Sequence, residues 1–542
     1  MCGICGAVAK DGRSDTTGLV LRMLTVMSHR GPDSAGMSWE SGTVTAPTLA
    51  ELLRRADTVR APRTLGHERL RITGGDRGLQ PFFDEGRKLS LVFNGEIYNF
   101  KELIAQHPDW KSDTDGEVLF RMVEESHDDD LVEAVRATLP YLDGVYAFSA
   151  MDSTSIVLAR DRVGVKQVYY GEDARFMAFA SERKALWSIG LRTRRLNPGE
   201  ILRIGPAGVT RIPGSFFSVL PVVYTDRARA LDVYRRALVE AVRKRVDGHR
   251  KVGVLFSGGV DSVLVARIAA DLCQEVTGYI GGAPGSPDLA SAAEAARAIG
   301  LPLRVRELDV QTLGELVRET IAAIEDDDLM QVEVAVPMYA ALRLAREDGV
   351  RVMLTGQGAD EIFAGYEWYP PILKEQGEAA LLAAMWGDLS NLYRDTLERE
   401  DKMSMAHSIE LRVPFLDPAV ITEAMRISPS LKIDAASGGL DLLRKRIHRE
   451  LALDMGVPRS IAMRLKDGAQ HGSGTHVALD QFAKLSAPQP AVEPLDLDER
   501  ELRGSAFRHG GIDVHGSAYG SKEARAYVRR AAREVLGSLL AR

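Results

Sequence analysis

The second residue of the chain is a cysteine, within the opening segment MCGICG. Removal of the initiator methionine would make Cys2 the first residue of the mature chain. Its thiol would then be a nucleophile, and its free α-amino group, with a reference pKa of about 8, could accept a proton near neutral pH. Because nucleophile and base would belong to one residue, Cys2 is a candidate catalytic residue, although a cysteine near a start codon also occurs by chance.

A second chemical segment, SGGVDS, occupies residues 257–262. The apolar run at 252–256 predicts a strand before it, and the run at 263–268 predicts a helix after it. A turn of small residues at this junction directs several backbone N–H groups at one spot, where the helix dipole adds partial positive charge. The segment therefore predicts a phosphate or pyrophosphate site rather than an ordinary capped turn. It is not a Walker A loop, because no Gly-Lys-Ser/Thr follows.

The elements that position these segments fall into two regions. Up to about residue 205, short β-rich runs alternate with helical stretches, at 90–93, 116–125, 131–138, 145–150 and 155–159. From about residue 228, long helices alternate with short apolar strands, such as 251–256 and 351–354. The second pattern predicts a parallel sheet covered by helices on both faces.

The remaining segments are connections and an end helix. We predict a linker at 213–221 and a loop or hinge at 486–494, because both are rich in residues that interrupt regular structure. Residues 521–542 space their apolar side chains for one face of a helix. These observations predict domains at 2–210 and 228–480, joined by 211–227 and followed by an extension at 481–542.

Length and composition exclude several classes of protein. A chain of 542 residues is too long for one core, and 45% hydrophobic residues with a net charge of −7 are typical of a soluble protein. Dispersed basic residues argue against nucleic-acid binding, and no apolar run could span a membrane. With three cysteines, no second CxxC pair and no export signal, we expect a reducing cytoplasm and no zinc site.

Ordered motifs give the chain a family resemblance that extends from residue 1 to about 475. They are MCGI at 1–4, HRGPD at 29–33, GHERL at 66–70, FNGEIYN at 93–99, DGE at 115–117, ARDRVG at 159–164, SGGVDS at 257–262, GSPD at 285–288, PMY at 337–339, GQGADE at 356–361 and ELRVPFLD at 410–417. In this order they resemble the glutamine-hydrolysing asparagine synthetases. The resemblance implies a two-domain α/β fold. The first domain would be an αββα sandwich of the N-terminal-nucleophile hydrolases, and the second a parallel sheet flanked by helices, like the adenine nucleotide α-hydrolases.

The resemblance implies a glutaminase site around Cys2. The thiol would attack the side-chain amide of glutamine, giving ammonia and a thioester that water hydrolyses to glutamate. Asn94, through its side chain, and Gly95, through its backbone N–H, would stabilise the oxyanion. Asn94 would also contact bound glutamine. Arg69 would pair with the glutamine α-carboxylate, and Glu96 and Asp115 would receive its α-ammonium.

In the second half, the resemblance implies that ATP with Mg²⁺ activates a carboxylate as an acyl-adenylate, which ammonia converts to an amide. Asp261 and Asp360 would hold the metal ion. The implied ATP-binding residues are Leu255, Ser257, Gly258, Gly259, Asp261, Ser262, Gly356, Gln357, Lys445 and Lys466. An internal tunnel would carry ammonia between the two sites. Head-to-tail dimers occur in the family, which leaves a homodimer open.

Three positions depart from the family pattern. Gln357 stands where the well-known enzymes have a glutamate, and a glutamine cannot act as a base. Glu333 stands where they have an arginine, so the charge near the expected substrate site is inverted. Gln167 stands where proline is common, for which we expect only a loop adjustment.

These departures leave the acceptor of the ammonia open. We expect amidation of aspartate to asparagine. The alternative is the same chemistry on another carboxylate, in specialised metabolism. A relative that closes an intramolecular amide is disfavoured, because it would have little use for Cys2. A non-catalytic glutamine sensor is disfavoured by the presence of Cys2, Asn94, Gly95 and the SGGVDS segment.

Overall fold

The computed structural model describes residues 2–75, 78–205, 208–214, 219–434, 444–465, 468–486, 495, 508–509, 512–513 and 519–540. Lys466 lies outside these residues. The strands of the first half are β1 (Gly3–Ala9), β2 (Ser34–Trp39), β3 (Gly42–Ala46), β4 (Arg63–Arg69), β5 (Phe82–Asp84), β6 (Leu89–Ile97), β7 (Gly144–Met151), β8 (Ile156–Arg160), β9 (Tyr169–Glu172), β10 (Phe176–Ala180), β11 (Arg194–Arg195), β12 (Ile201–Gly205) and β13 (Gly208–Ile212). Its helices are α1 (Thr17–Met27), α2 (Leu49–Arg55), α3 (Phe100–Gln106), α4 (Asp115–Ser126), α5 (Leu131–Thr138) and α6 (Arg183–Ser188).

These elements form a four-layer sandwich. A seven-stranded sheet, in the order β11-β9-β10-β1-β4-β2-β3, faces a six-stranded sheet, in the order β13-β12-β8-β7-β6-β5. Side chains such as Ile4 and Leu158 fill the space between the sheets. On the outer faces, α1 packs on β1 and β4, and α4 packs on β6. Because β1 is covered on both faces, all seven of its residues are buried. The predicted αββα sandwich is confirmed.

The second half is built on a parallel sheet in the order β16-β15-β14-β17-β18. Its strands are β14 (Lys251–Leu255), β15 (Glu275–Gly282), β16 (Leu303–Glu307), β17 (Val352–Leu354) and β18 (Glu410–Arg412). Its helices are α7 (Arg227–Val246), α8 (Val260–Leu272), α9 (Pro287–Ile299), α10 (Val310–Ile324), α11 (Leu329–Glu347), α12 (Ala359–Ile362), α13 (Tyr369–Gln376), α14 (Glu378–Leu392), α15 (Glu398–Ala406), α16 (Pro418–Met425), α17 (Pro429–Lys432), α18 (Arg446–Asp454), α19 (Arg459–Ala462), α20 (Ala469–Gly472) and α21 (Thr475–Leu485).

Helices cover both faces of this sheet, as the alternation of strands and helices predicts. Along β17, Val352 and Leu354 point into an apolar cluster shared with α7 and α8. Met353, between them, points into a second cluster shared with α10 and α11. This alternation is the expected consequence of the two-residue period of a strand. The sheet is therefore buried on both sides, and its carboxyl edge is where a ligand of such a fold binds.

Beyond α21, the described residues form β19 (Arg508–His509), β20 (Ile512–Asp513) and α22 (Lys522–Leu540). Helix α22 matches the predicted helix at 521–542, apart from its ends. Its buried residues Val528, Ala531 and Ala532 share a cluster with Val317 of α10 and Trp187 of α6. The end helix therefore contacts both halves of the chain.

Buried charges join the two halves at α15. Glu398 accepts hydrogen bonds from Arg195 Nε at 2.8 Å and from the Tyr169 hydroxyl at 2.6 Å. Asp401 accepts one from Arg30 Nη2 at 2.8 Å and another from Gln167 Nε2 at 2.8 Å. Gln167, for which only a loop adjustment was expected, thus makes a specific contact across the interface.

The predicted local elements are confirmed where the structure describes them. The run at 90–93 lies within β6, and the helix predicted at 131–138 is α5. At the predicted linker, β13 ends at Ile212 and α7 begins at Arg227. Helix α21 crosses the predicted boundary at residue 480. The loop predicted at 486–494 lies outside the described residues after Ser486.

Candidate active sites

A cavity opens at Cys2, where β1 begins beside β4 and β6. Four other residues predicted for this site line it: Arg69, Gly95, Glu96 and Asp115. They come from two strands of different sheets and from the start of α4, which a side-chain cap at Thr114 holds in place. The fold therefore brings together residues that are up to 113 positions apart, because the two sheets face each other.

The backbone of Cys2 is held on both sides. Its N–H donates to Asn94 Oδ1 at 2.9 Å, and its carbonyl oxygen accepts from Arg30 Nε at 3.1 Å. Burial raises the pKa of the Cys2 thiol, while a hydrogen bond from the Leu70 backbone and the charge of Arg69 oppose this rise. A buried thiol with a raised pKa needs a base to become a nucleophile.

Asn94 and Gly95, the residues predicted to hold an oxyanion, lie beside Cys2 at the cavity. Asn94 is fully buried, and its Nδ2 has no hydrogen-bond partner among the described residues. An unpaired buried donor costs about 1–3 kcal/mol, so such groups need an explanation, and a ligand that appears during reaction is one. At the next residue, a Cβ on Gly95 would lie 2.2 Å from the Val145 carbonyl oxygen, so only glycine fits there.

The residues predicted to hold glutamine lie around the same cavity. Arg69 donates to carbonyl oxygens of the following loop, from Nη1 to Gly75 at 2.9 Å and from Nη2 to Thr73 at 3.1 Å. Asp115 accepts from the backbone N–H of Ile97 at 3.0 Å. Burial raises the pKa of Asp115 to about 6, although this hydrogen bond opposes the rise.

Glu96 has a partner that sequence reasoning missed. Its Oε1 accepts from Nη2 of Arg412, at the end of β18, at 2.8 Å. Burial raises the pKa of Glu96 to about 8, while the Arg412 charge lowers it and the carboxylates of Glu410 and Asp115 raise it further. A pocket with two crowded carboxylates suits an ammonium group, which favours their charged forms.

The second predicted site lies at the carboxyl edge of the parallel sheet. The SGGVDS segment runs from the end of β14 into α8, as predicted. Gly258 has φ +75°, and a Cβ there would lie 2.6 Å from the backbone of Ala292. Ser257 and Ser262 approach each other with hydroxyl oxygens 3.4 Å apart. The loop therefore has the shape expected for anion binding at a helix N-terminus.

The turn that contains Gln357 packs directly on this loop. A Cβ on Gly356 would lie 2.9 Å from the Ser262 amide nitrogen and 2.8 Å from Cβ of Asp261. Gln357 follows β17, and Leu255 ends the neighbouring β14. The structure thus groups these predicted ATP-binding residues at one edge of the sheet.

Lys445 stands between the two predicted metal ligands. Its Nζ lies 2.7 Å from Asp261 Oδ2 and 2.8 Å from Asp360 Oδ1. His448, which sequence reasoning missed, places Nε2 3.0 Å from Asp261 Oδ1 and Nδ1 2.7 Å from the Tyr234 hydroxyl. No group of three or more His, Cys, Asp or Glu suited to a metal ion occurs in the described part of the chain.

Comparisons with known proteins cover both halves. A model of the asparagine synthase family matches residues 233–383 and 374–503, and one of a glutamine amidotransferase domain matches 54–223. The putative glutamine-hydrolysing asparagine synthetase 1 of Methanocaldococcus jannaschii is 34% identical over 534 residues, which cover 89% of this chain and 96% of that protein. The chain belongs to the glutamine-hydrolysing asparagine synthetase family.

More distant members of this asparagine synthetase family agree. Asparagine synthetase B of Escherichia coli is 27% identical over 521 residues, covering 92% of this chain and 86% of that protein. Asparagine synthetase 3 of Arabidopsis thaliana is 30% identical over 455 residues, which cover 80% of this chain and 72% of that protein. The predicted family and ligase class are confirmed. No described helix is long and apolar enough to cross a membrane.

Glu333, the charge inversion noted in the sequence, has local hydrogen-bond partners in this chain. The carboxylate is fully buried on α11. His476 Nδ1 lies 3.0 and 3.1 Å from its two oxygens, and the Tyr519 hydroxyl donates to it at 2.9 Å. Both partners lie beyond residue 475, where the ordered motifs of the sequence end, although the family model extends to residue 503 and so includes His476.

Proposed function

We propose that this protein makes asparagine from aspartate, with ATP as the source of energy and glutamine as the source of nitrogen. AMP, pyrophosphate and glutamate would be the other products. The proposal rests on one observation: the same chain has two sites. Beside Cys2, the Asn94 Nδ2 donor has no partner among the described residues, and in the SGGVDS loop Asp261 is paired with Lys445. Neither half alone would transfer nitrogen from glutamine to a carboxylate.

In the glutaminase half, Cys2 Sγ attacks the amide carbon of glutamine and forms a C–S bond. The developing oxyanion takes hydrogen bonds from Asn94 Nδ2 and the Gly95 N–H. Once Met1 is removed, the α-amino group of Cys2 takes the thiol proton and gives it to the departing nitrogen, so the C–N bond breaks and ammonia leaves. Asn94 Oδ1, 2.9 Å from the Cys2 nitrogen, orients that amine. Water then cleaves the thioester to release glutamate.

In the synthetase half, the aspartate side-chain carboxylate attacks the α-phosphorus of ATP and pyrophosphate leaves. The backbone of the SGGVDS loop, with the start of α8, would hold the pyrophosphate. Lys445 would balance its charge. Ammonia then attacks the acyl carbon, the C–O bond to the phosphate breaks and AMP leaves, and the departing phosphate takes the proton that the nitrogen loses. Because Gln357 cannot take a proton, it would act by hydrogen bonding alone.

Asp261 of the SGGVDS segment and Asp360 present carboxylate oxygens, the ligands that hard cations such as Mg²⁺ prefer. Lys445 Nζ lies between them, so a bound cation would replace this ammonium group there. We therefore propose these two residues as Mg²⁺ ligands. A bound Mg²⁺ would neutralise phosphate charge.

We also propose the domain boundaries 2–210 and 228–480, with a linker at 211–227 and an extension at 481–542. The gap between β13 and α7 supports the linker. A cytoplasmic location, a homodimer and a role for Lys466 remain predictions.

A second candidate function amidates another carboxylate. The buried Glu333 and the neutral Gln357 favour it, because both depart from the pattern of the well-known aspartate-specific enzymes. The two functions share every step except the acceptor.

One assay separates the candidates. Purified protein receives glutamine, ATP, Mg²⁺ and aspartate, and AMP, glutamate and asparagine are measured together. Equal amounts of AMP and asparagine support asparagine synthesis. The Cys2→Ala variant should then lose the reaction with glutamine but keep it with ammonia. Glutamate release without aspartate-dependent AMP would reject aspartate as the acceptor.

A further inference from the structure

One wall of the glutaminase site depends on the synthetase half. Glu96, on β6, lines the cavity at Cys2, and its carboxylate is held by Arg412, 316 residues later on β18. Both side chains are nearly excluded from solvent, with exposed fractions of 10% and 2%. A charge-assisted hydrogen bond in such surroundings is stronger than one at the surface.

The Arg412 guanidinium is itself fixed on three sides. Nε donates to Glu410 Oε1 at 2.7 Å, and Nη1 donates to the carbonyl oxygen of Arg245 at 2.5 Å. The third contact, from Nη2, is the one to Glu96. Because the planar group cannot turn without breaking one of these bonds, it determines where the Glu96 carboxylate lies.

The charges in this cluster leave room for one more cation. Arg412 is shared by Glu96 and Glu410, and Asp115 lies close enough to raise the pKa of Glu96. Two carboxylates therefore contact one guanidinium, and Asp115 lines the same cavity as Glu96. The α-ammonium of glutamine, entering beside Glu96 and Asp115, would favour the charged forms of both carboxylates.

The backbone of Arg412 extends the link to the ATP loop. Its carbonyl oxygen accepts from the Thr355 N–H at 3.0 Å. Thr355 directly precedes Gly356, the glycine that packs on Ser262 of the SGGVDS segment. One residue thus contacts a glutamine-site carboxylate with its side chain and the ATP-site turn with its backbone.

We propose that Arg412 is a positioning residue for glutamine: it holds Glu96 where the carboxylate receives the substrate α-ammonium. The synthetase half thereby completes the glutamine site. This inference rests on the proposed glutamine hydrolysis. It gives the ELRVPFLD segment, which contains Arg412, a role in glutamine binding that the motif by itself does not indicate.

The test compares the glutamine KM for glutamate release with the ammonia KM for amide formation. Arg412→Gln should raise the glutamine KM at least tenfold and leave the ammonia KM within twofold. Arg412→Lys keeps the charge but loses the fork, so it should give an intermediate rise and decides the matter if Arg412→Gln does not fold. Lys101→Gln is the matched control. Lys101 also contacts the other half, with Nζ 2.7 Å from Asp247 Oδ2, and neither residue lines the cavity, so its glutamine KM should not change.

A double-mutant cycle tests whether Arg412 acts through Glu96. If it does, Glu96→Gln with Arg412→Gln should raise the glutamine KM little more than Glu96→Gln alone. An unchanged KM in both Arg412 variants, or effects that multiply in the double variant, would overturn the inference. A wild-type protein that releases no glutamate would instead reject the proposed function itself.

Discussion

Replacing Asn94 by alanine removes two interactions at Cys2 with one substitution. Asn94 Oδ1 accepts from the Cys2 nitrogen at 2.9 Å, and the unpaired Nδ2 is the proposed oxyanion donor. Loss of one preorganised oxyanion donor costs about 10²–10³ in kcat, or roughly 2.7–4 kcal/mol. Loss of the hydrogen bond that orients the amine adds about 1 kcal/mol. We therefore expect kcat for glutamate release to fall about 10³-fold.

The same change should barely affect the folded state. Asn94→Ala removes one buried hydrogen bond but also removes a buried donor without an acceptor, and these two effects nearly cancel. The free energy of unfolding should thus stay within about 1 kcal/mol. Glutamine KM should change much less than kcat, because the lost interactions act on the transition state.

The assay follows glutamate release and, separately, amide formation from ammonia. Ammonia-dependent synthesis should be unchanged, since it bypasses Cys2. Asn94→Asp is the matched variant: it can still accept from the amine, but it presents a negative oxygen to the oxyanion and should be slower than Asn94→Ala. A kcat for Asn94→Ala within threefold of wild type, or an equally active Asn94→Asp, would refute the oxyanion assignment.

Three further predictions concern the buried charges. Lys445→Gln removes the cation between two carboxylates, so it should reduce ATP-dependent AMP formation about 10²-fold. Glutamate release should stay intact. Parallel loss of both activities would contradict a role for Lys445 in the ATP site alone. Glu333→Ala removes the hydrogen-bond partner of both His476 and Tyr519 and should lower the free energy of unfolding by about 2–3 kcal/mol, whereas Tyr519→Phe removes one of these bonds and should lower it by about 1 kcal/mol, in urea titrations; similar values for the two would contradict a central role for the carboxylate. The pKa of Asp115 is raised to about 6 and that of Glu96 to about 8. Both carboxyl groups must therefore lose their protons before the glutamine α-ammonium binds between them. Glutamine KM should therefore fall as pH rises from about 6 to 8 and then level off, and a flat profile would count against the pocket.

The sequence predicted the helices and turns whose conformation depends on residues close together in the chain. Helix α5 was readable from its apolar spacing, and the SGGVDS turn from its position between a strand and a helix. Asn94 and Gly95 were predicted as oxyanion donors because they are adjacent in a recognisable motif. In each case local chemistry and the native fold agree, so short-range patterns were enough.

The contacts that complete each site could not be predicted in this way. Arg412 reaches Glu96 across 316 residues, and His448 reaches Asp261 from a different helix. The first pair depends on how the two halves dock, and the second depends on how two helices of one half pack. A lone charged residue has no spacing that reveals its partner. The pairing of Glu333 with Tyr519 is similar, because it joins α11 to a segment that follows no familiar motif.

The interface at α15 predicts how the halves would behave as separate molecules. The first half presents cations such as Arg30 and Arg195, and α15 presents the carboxylates of Asp401 and Glu398. If the chain were divided within the connection between β13 and α7, these opposite charges would steer the fragments towards each other. Electrostatic steering speeds association at low ionic strength and weakens as salt is added. Reconstitution from two polypeptides should therefore be fastest in dilute buffer and slow steeply with salt, and the glutamine site of the first fragment would lack the Arg412 contact to Glu96 until the fragments joined.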